Sequence, residues 1–453
     1  MMTFDRTLPE LLSVCEADSD FAAQPSRIKR ACAVRDPRGQ VRLVVELSRD
    51  FSELAVDALK SRLTTALERV LDKFFVPPVL TTQDKEASGA IARALLEKAK
   101  PWHEAAYDDP IQGGKIKPSP GRWQLMERRV AKQGWLDARK AGDPWPLSAR
   151  LPVVTFYSFK GGGGRTTALV SCALQLADQG KRVAVVDLDL EAPGLGPLFE
   201  VSTSRGVLDA IVDHMATERI DLDGLHASPS SVLPPDIADQ IDVFPAGNLD
   251  QFFLEKLSRL DFSEVGPWGD EKTIPVHRAL RALLTAIKRK LKPAYILLDA
   301  RAGLHDLAGL SLHGLAHVDV LVTRSSEQAY RGLDLTVRAL GQRIPEDELR
   351  CVTVHGLAPP DPESPEGKAE IAEVRARAYK SFSDHVYGDV PAEEDATAAH
   401  FPWLLRRNPN LDRFTTLASV LNDLRTDQHK KLLDRIVELC TPEDPPPDEE
   451  GSP

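Results

Sequence analysis

Apolar runs of four to seven residues alternate with helical segments between residues 151 and 357. The runs cover residues 153–159, 182–188, 241–244, 295–298, 318–322 and 350–354. Continuous apolar strands between helices are typical of a mostly parallel sheet, because a strand covered on both faces needs apolar side chains on both sides. The pattern predicts an α/β, doubly wound domain over residues 151–440, with ligands bound at the carboxyl ends of its strands.

The first part of the chain has a different pattern. Residues 31–35 and 41–47 form two short apolar runs around a turn, which predicts a hairpin. An amphipathic helix is predicted next, capped by Asp50 and continuing to Phe75, and a second helix is predicted over residues 85–98. The apolar face assigned to the first helix is formed by Leu54, Ala58, Leu59, Leu63, Ala66, Leu67, Val70 and Leu71. We therefore expect a small α+β domain over residues 1–107.

Two segments are too polar and too rich in proline to predict as domains. Residues 108–150 are rich in Pro, Gly and charge and are expected to tether the two domains, and the acidic tail at 441–453 is expected to be disordered. A helix is predicted over residues 416–439, just before that tail.

Composition is that of an ordinary globular protein. The chain has 453 residues, 42% of them hydrophobic, and a net charge of −11. No run of about 18 apolar residues is present and the first residues lack a basic flank followed by an apolar stretch, so we expect neither a membrane span nor a signal peptide, and a cytoplasmic location. The five cysteines show no C-x-x-C spacing and are expected to be buried thiols rather than disulfides or metal ligands.

A glycine run follows the first strand of the larger domain. Gly161, Gly162, Gly163 and Gly164 can adopt backbone angles that bring successive N–H groups onto one anion, and a helix predicted from Arg165 adds its unpaired N–H groups. The sequence therefore predicts a phosphate site. In such loops the first hydroxyl residue, here Thr166, contacts Mg²⁺, and Thr167 is suited to a phosphate contact. The common pattern G-x-x-x-x-G-K-[ST] is not matched, because Phe159 replaces its first glycine and Arg165 its lysine.

Lys160-Gly-Gly-Gly-Gly-Arg-Thr resembles the deviant Walker A loop K-G-G-x-G-K-[ST] of the ParA/MinD family of P-loop ATPases. More narrowly, it is similar to a branch that reads K-G-G-V-G-R. The resemblance implies that Lys160 reaches the nucleotide of a partner subunit and that Arg165 contacts phosphate. Since guanidinium is larger than ammonium and planar, we expect slow hydrolysis.

Carboxylates end two of the predicted strands. Asp187 lies at the end of one predicted strand and Asp189 directly after it. The two match the family's D-x-D motif, which implies that Asp189 positions the attacking water and that Asp187 supports the shell of Mg²⁺. Asp299 ends another strand and resembles a Walker B aspartate that holds Mg²⁺ through water. The role of Arg301 is open between contacting the γ-phosphate and pairing with a nearby acid.

The resemblance implies an ATPase that uses ATP and Mg²⁺, forms a homodimer through its nucleotide face and regulates the binding of a protein partner. No family resemblance is identified for the N-terminal domain, which is expected to bind that partner. One alternative is a nucleotide-binding scaffold with little or no hydrolysis. Another is a partition ATPase that binds non-specific DNA, which the acidic net charge disfavours.

Overall fold

The computed structural model divides the chain into two compact units, Met1–Val130 and Ala131–Pro453. The described residues are 2–3, 6–22, 27–36, 38–48, 50–102, 122–127, 151–260, 275–312, 315–342, 344–414 and 416–441. Each unit has its own sheet and its own hydrophobic core.

The first unit contains a five-stranded sheet in the order β3-β2-β1-β5-β4. Its strands are β1 (Ile28–Arg35), β2 (Val41–Leu47), β3 (Leu80–Thr81), β4 (Lys100–Pro101) and β5 (Trp123–Glu127). Its helices are α1 (Thr7–Glu16), α2 (Ser19–Ala22), α3 (Glu53–Leu71) and α4 (Glu86–Lys98). The β1–β2 pair is antiparallel, as the predicted hairpin requires, whereas β1 and β5 are parallel. The small N-terminal α+β fold is therefore confirmed.

Helix α3 differs from its prediction at both ends. Its N-cap is Ser52, whose hydroxyl accepts the N–H of Ala55, so Asp50 is not the cap, and the helix ends at Leu71 rather than Phe75. Its buried face is formed by Val56, Leu59, Leu63, Leu67 and Leu71. Leu54 is 85% exposed, because a residue two positions before Val56 lies on the opposite side of a helix with 3.6 residues per turn.

Part of the predicted tether belongs to the first unit. Strand β5 pairs with β1, and its Trp123 is buried against Phe21 with ring centroids 5.6 Å apart. The indole N–H of Trp123 donates to Glu16 Oε1 at 2.7 Å. The other residues of 108–150, except Arg122, lie outside the described residues, as does the predicted tail from residue 442.

The second unit contains a seven-stranded parallel sheet in the order β12-β11-β10-β6-β9-β7-β8. Its strands are β6 (Val153–Tyr157), β7 (Val183–Leu188), β8 (Ile241–Phe244), β9 (Tyr295–Ala300), β10 (Val318–Thr323), β11 (Cys351–Ala358) and β12 (Trp403–Arg406). The α/β P-loop NTPase fold predicted for this region is confirmed. Strand β12 was missed, and it is a short edge strand that pairs only with β11.

Helices cover both faces of this sheet. They are α5 (Arg165–Asp178), α6 (Leu195–Leu198), α7 (Val207–Thr217), α8 (Pro235–Ala238), α9 (Phe253–Leu257), α10 (Pro275–Leu291), α11 (Asp306–Ser311), α12 (Glu327–Gly341), α13 (Pro365–His385), α14 (Pro409–Asp412) and α15 (Asp427–Cys440). Apolar residues of α5, α8 and α15 share one core with one face of the sheet, and those of α7 and α10 share another with the opposite face. The helix predicted over 416–439 is instead a 3-10 turn, Leu417–Val420, followed by α15.

All five cysteines are buried free thiols, as expected. Within the described ranges, no helix combines the length and the apolar character needed to cross a bilayer.

Candidate functional site

The glycine loop joins β6 to α5 at the carboxyl edge of the sheet. Gly162 and Gly164 have φ values of +71° and +89°, in the left-handed region that favours glycine, and Gly164 is the N-cap of α5. A Cβ placed on Gly161, Gly162 or Gly164 would meet no atom within 4 Å. The loop therefore presents open backbone beside a helix N-terminus, as a phosphate site requires.

Two further glycines, one on β11 and one on α12, allow close packing against the loop. A Cβ on Gly356 of β11 would lie 2.0 Å from the carbonyl oxygen of Gly163, and a Cβ on Gly332 of α12 would lie 1.9 Å from the ring of Phe159. Phe159, which breaks the common glycine pattern, is thus accommodated by the absence of a side chain on α12. The sequence signal for both was an isolated glycine inside a strand or a helix, which often marks close packing.

The predicted aspartates meet where β7 and β9 end side by side. Asp187 and Asp299 are partners in the register of these strands. Asp187 is fully buried, and its carboxylate accepts the N–H groups of Asp189, Gly194 and Leu195 at 3.0–3.1 Å. Burial, followed by the charge of Asp299, raises the pKa of Asp187 to about 7. These contacts make Asp187 the anchor of the loop that carries Asp189.

Arg165 lies between two of the carboxylates rather than over the open loop. Its Nε donates to Asp299 Oδ1 at 2.6 Å and its Nη2 to Asp189 Oδ2 at 3.0 Å. The hydroxyl of Thr166 donates to the other oxygen of Asp299, Oδ2, at 2.9 Å. Burial raises the pKa of Asp299, although Arg165 and Thr166 oppose this rise. Burial acts to lower the pKa of Arg165, but the charges and hydrogen bonds of Asp299 and Asp189 outweigh it, so the pKa of Arg165 is raised.

A chain of ion pairs connects Asp189 to the start of helix α11. Arg301 donates to Asp189 Oδ1 and contacts Glu191 Oε2, both at 2.8 Å, so it pairs with acids. His305 Nε2 lies 2.8 Å from Glu191 Oε1, and its Nδ1 accepts the N–H of Leu307 in the first turn of α11. Because Nδ1 is an acceptor, the proton of a neutral His305 lies on Nε2 and is donated to Glu191. The sequence prediction identified Arg301 but neither Glu191 nor His305.

Lys160 and Arg324 line a cleft beside the loop, together with Phe159, Gly163 and Leu333. Neither cation forms an ion pair with any residue in the described part of the chain. Arg324 Nη1 is 3.4 Å from the carbonyl oxygen of Gly162. Arg324 follows β10 and was missed, since it belongs to none of the motifs that the sequence offered.

The residues present fit a magnesium ion bound together with phosphate. Mg²⁺ prefers oxygen ligands and usually takes one or two carboxylates, substrate phosphates and several waters. Thr166 Oγ1 and Asp299 Oδ2 are such ligands, and they lie at the start of α5 where the glycine loop ends. Of the other predicted residues, Thr167 is half-buried in the first turn of α5, and Asp187 uses both oxygens on backbone N–H groups.

Sequence comparisons agree with the position of this site. Residues 151–222, which include the glycine loop, Asp187 and Asp189, match the family model of the VirC1 protein. The uncharacterized protein Rv1708 of Mycobacterium tuberculosis (strain H37Rv) is 28% identical over 265 residues, which is 56% of this chain and 71% of that protein. The uncharacterized ATP-binding protein MJ0169 of Methanocaldococcus jannaschii is 32% identical over 99 residues, 20% of this chain and 37% of that protein.

Among solved structures, apo McdA from Cyanothece is 15% identical, with 64% of this chain and all of that chain covered at a TM-score of 0.43. This chain has a P-loop NTPase fold, with a parallel sheet, a glycine loop and carboxylates at the ends of β7 and β9, and its loop and carboxylate motifs resemble those of the ParA/MinD ATPases.

Proposed function

We propose that the protein is a cytoplasmic molecular switch of the ParA/MinD type that binds and slowly hydrolyses ATP. The observation that carries this proposal is the convergence of the open glycine loop with Thr166, Asp189 and Asp299 at one sheet edge. Backbone N–H groups of the loop and of the first turn of α5 bind the phosphates. Bound Mg²⁺, held by Thr166 and Asp299, would neutralise charge on the phosphate oxygens.

Asp189 is the group that we assign to the attacking water. It follows β7, and its loop is fixed by the N–H bonds to Asp187, so its carboxylate is held at the same edge as the glycine loop. An aligned water behind the γ-phosphorus is a requirement of phosphoryl transfer to water, since these reactions are accelerated mainly by positioning and charge stabilisation.

Lys160 supports the dimer part of the proposal. It is half-buried at the edge of the loop and forms neither a hydrogen bond nor an ion pair within the described ranges, so its ammonium is available to a phosphate of a second subunit. Dimerisation with ATP bound and separation after hydrolysis would change the binding of a protein partner, which we assign to the N-terminal unit.

A second candidate is a nucleotide-binding scaffold that does not hydrolyse ATP. Arg165 favours it, because this residue neutralises both Asp189 and Asp299, the two groups that hydrolysis would use. Release of Asp189 from Arg165 is therefore a condition for turnover.

Steady-state phosphate release separates the two candidates. Asp189→Asn removes the charge of the residue assigned to the water, and Asp213→Asn is its control, because Asp213 is half-exposed and pairs with Arg205 on the surface. We expect turnover in the parent and in the control but not in Asp189→Asn. No turnover in a parent that binds ATP would support the scaffold.

The dimer is tested by light scattering with ATP, with ADP and without nucleotide. We expect the mass of the parent to double with ATP and that of Lys160→Ala to remain that of a monomer. Lys181→Ala is the control, since Lys181 is an exposed lysine before β7 and away from the loop. A parent whose mass ignores ATP would contradict the dimer. Salt-sensitive retention of DNA by the ATP-bound parent would instead favour the partition ATPase.

A further inference from the structure

Both oxygens of Asp299 are already bonded to groups of the chain. Arg165 donates to Oδ1 at 2.6 Å and Thr166 to Oδ2 at 2.9 Å, and the Asp299 side chain is 1% exposed. Arg165 also reaches Asp189, and both of these side chains are 10% exposed. The guanidinium thus sits where two buried carboxylates need a positive charge, and a buried carboxylate without such a charge is strongly destabilising.

We propose that Arg165 is an exchangeable counter-cation. In the nucleotide-free protein it neutralises Asp299 and Asp189. When nucleotide binds, the guanidinium moves to the phosphates and the divalent cation takes its place at Asp299. This inference rests on the proposed function, since it assigns a regulation to the same site. It makes Arg165 a competitor of the metal rather than a fixed phosphate ligand.

Charge explains why the exchange needs the nucleotide. Without phosphate, a divalent cation at Asp299 would face the guanidinium at the same carboxylate, and the repulsion between them acts in a site that is nearly closed to water. Phosphate oxygens supply the negative charge that Arg165 requires after it leaves the carboxylates. Metal and nucleotide therefore bind cooperatively, and by linkage each strengthens the other by the same factor.

The position of Arg165 makes the transfer short. It is the first residue of α5 and directly follows Gly164, where a Cβ would meet no atom within 4 Å. Its backbone therefore borders the open side of the loop while its side chain points to the carboxylates. A change of the Arg165 side-chain rotamer would move the guanidinium from the carboxylates to phosphates bound at the open side of the loop. The helix itself would not need to move.

The test is a titration of the nucleotide-free full chain with Mn²⁺, followed by electron paramagnetic resonance of the free ion. We expect Arg165→Ala to bind Mn²⁺ about tenfold or more tightly than the parent, and the added change Asp299→Asn to abolish the gain. Arg182→Ala is the matched control, because Arg182 forms an ion pair with Asp242 at 2.8 Å elsewhere in the same unit. Equal Mn²⁺ affinity in the parent and Arg165→Ala would overturn the proposal.

Arg165→Lys keeps the test decisive if the alanine variant does not fold. An ammonium lacks the planar fork that contacts two carboxylates together, so we expect a Mn²⁺ affinity above that of the parent. An affinity unchanged by this substitution also counts against the exchange. Binding of a fluorescent ATP analogue to the parent with Mg²⁺ is measured separately. If the analogue binds and the Mn²⁺ affinities are equal, only this inference fails, whereas a parent that binds no analogue contradicts the proposed function itself.

Discussion

Gly356→Ala tests whether the glycine loop depends on the strand behind it. Gly356 lies on β11, paired with Leu405 of β12, and its added Cβ would lie 2.0 Å from Gly163 O and 2.8 Å from Val322 Cγ1. The nearest obstacle is a backbone carbonyl, which cannot rotate away as the end of a long side chain can. The substitution therefore has to displace either β11 or the loop.

The size of the displacement follows from the contact distances. Ordinary contacts of a Cβ begin at 3.4 Å, so the two backbones must separate by about 1.4 Å, which is 3.4 minus 2.0. Overpacking of this kind costs about 1–3 kcal/mol of the free energy of unfolding. A misplacement of about 1 Å in a binding site can cost about a hundredfold in rate, so we expect at least a tenfold loss of affinity for the phosphates.

Two measurements check this prediction, namely chemical unfolding and the binding of a fluorescent ATP analogue. Gly388→Ala is the control, because its Cβ would meet only Glu346 Oε2, at 3.4 Å, which is an ordinary contact that requires no displacement. We expect the control to stay within about 0.5 kcal/mol of the parent. A Gly356→Ala protein with the stability and nucleotide affinity of the parent would refute the close approach of β11 to the loop.

Three further predictions concern stability. Trp123→Ala should lower the free energy of unfolding of the first unit by about 3–5 kcal/mol, because the indole is buried on Phe21, and a loss under about 1 kcal/mol would contradict the placement of β5. Leu63→Ala should cost about 2–5 kcal/mol and Leu54→Ala less than about 0.5, since only Leu63 is on the buried face of α3, and equal losses would show that the face is misassigned. Burial lowers the pKa of His429 to about 4, so below its unfolded value the unfolded chain binds a proton that the folded chain does not. Stability attributable to His429 is therefore lost as pH falls, by about 2 kcal/mol between pH 7.5 and 5, and His429→Gln should remove that part of the pH dependence in unfolding curves.

Most strands of the second unit could be predicted because each is apolar on both faces. Residues 241–244 coincide with β8, and the other predicted runs overlap β6, β7, β9, β10 and β11. Strands β5 and β12 could not be found in this way, since neither is buried on both faces: Trp123 and Leu125 are the buried residues described in β5, and Leu405 is the buried residue of β12. Pairing between such segments depends on the tertiary structure and not on local pattern.

The positions of site residues could be predicted where they follow from the ends of strands. The contacts of a side chain could not be predicted where more than one partner lies within its reach. Asp187 and Asp299 each end a strand, so their proximity follows from a parallel sheet. Arg165 could face phosphate or carboxylate, and spacing along the chain cannot decide between partners because Asp299 is 134 residues away. Gly332, an isolated glycine inside a helix, signals close packing, but its contact with the ring of Phe159 depends on the tertiary structure.

The strand order of the second unit also determines when its site can form during synthesis. Strand β6 is the first strand in the described part of the unit and lies at the centre of the sheet between β9 and β10. A backbone N–H of its Val153 donates to His317, 164 residues later. At about 5–20 residues per second, the ribosome reaches His317 roughly 8–30 s after β6 has been made. For most of that time β6, which is buried at every residue in the folded unit, has neither neighbour, so the exposed strand favours aggregation and chaperone binding of the nascent chain.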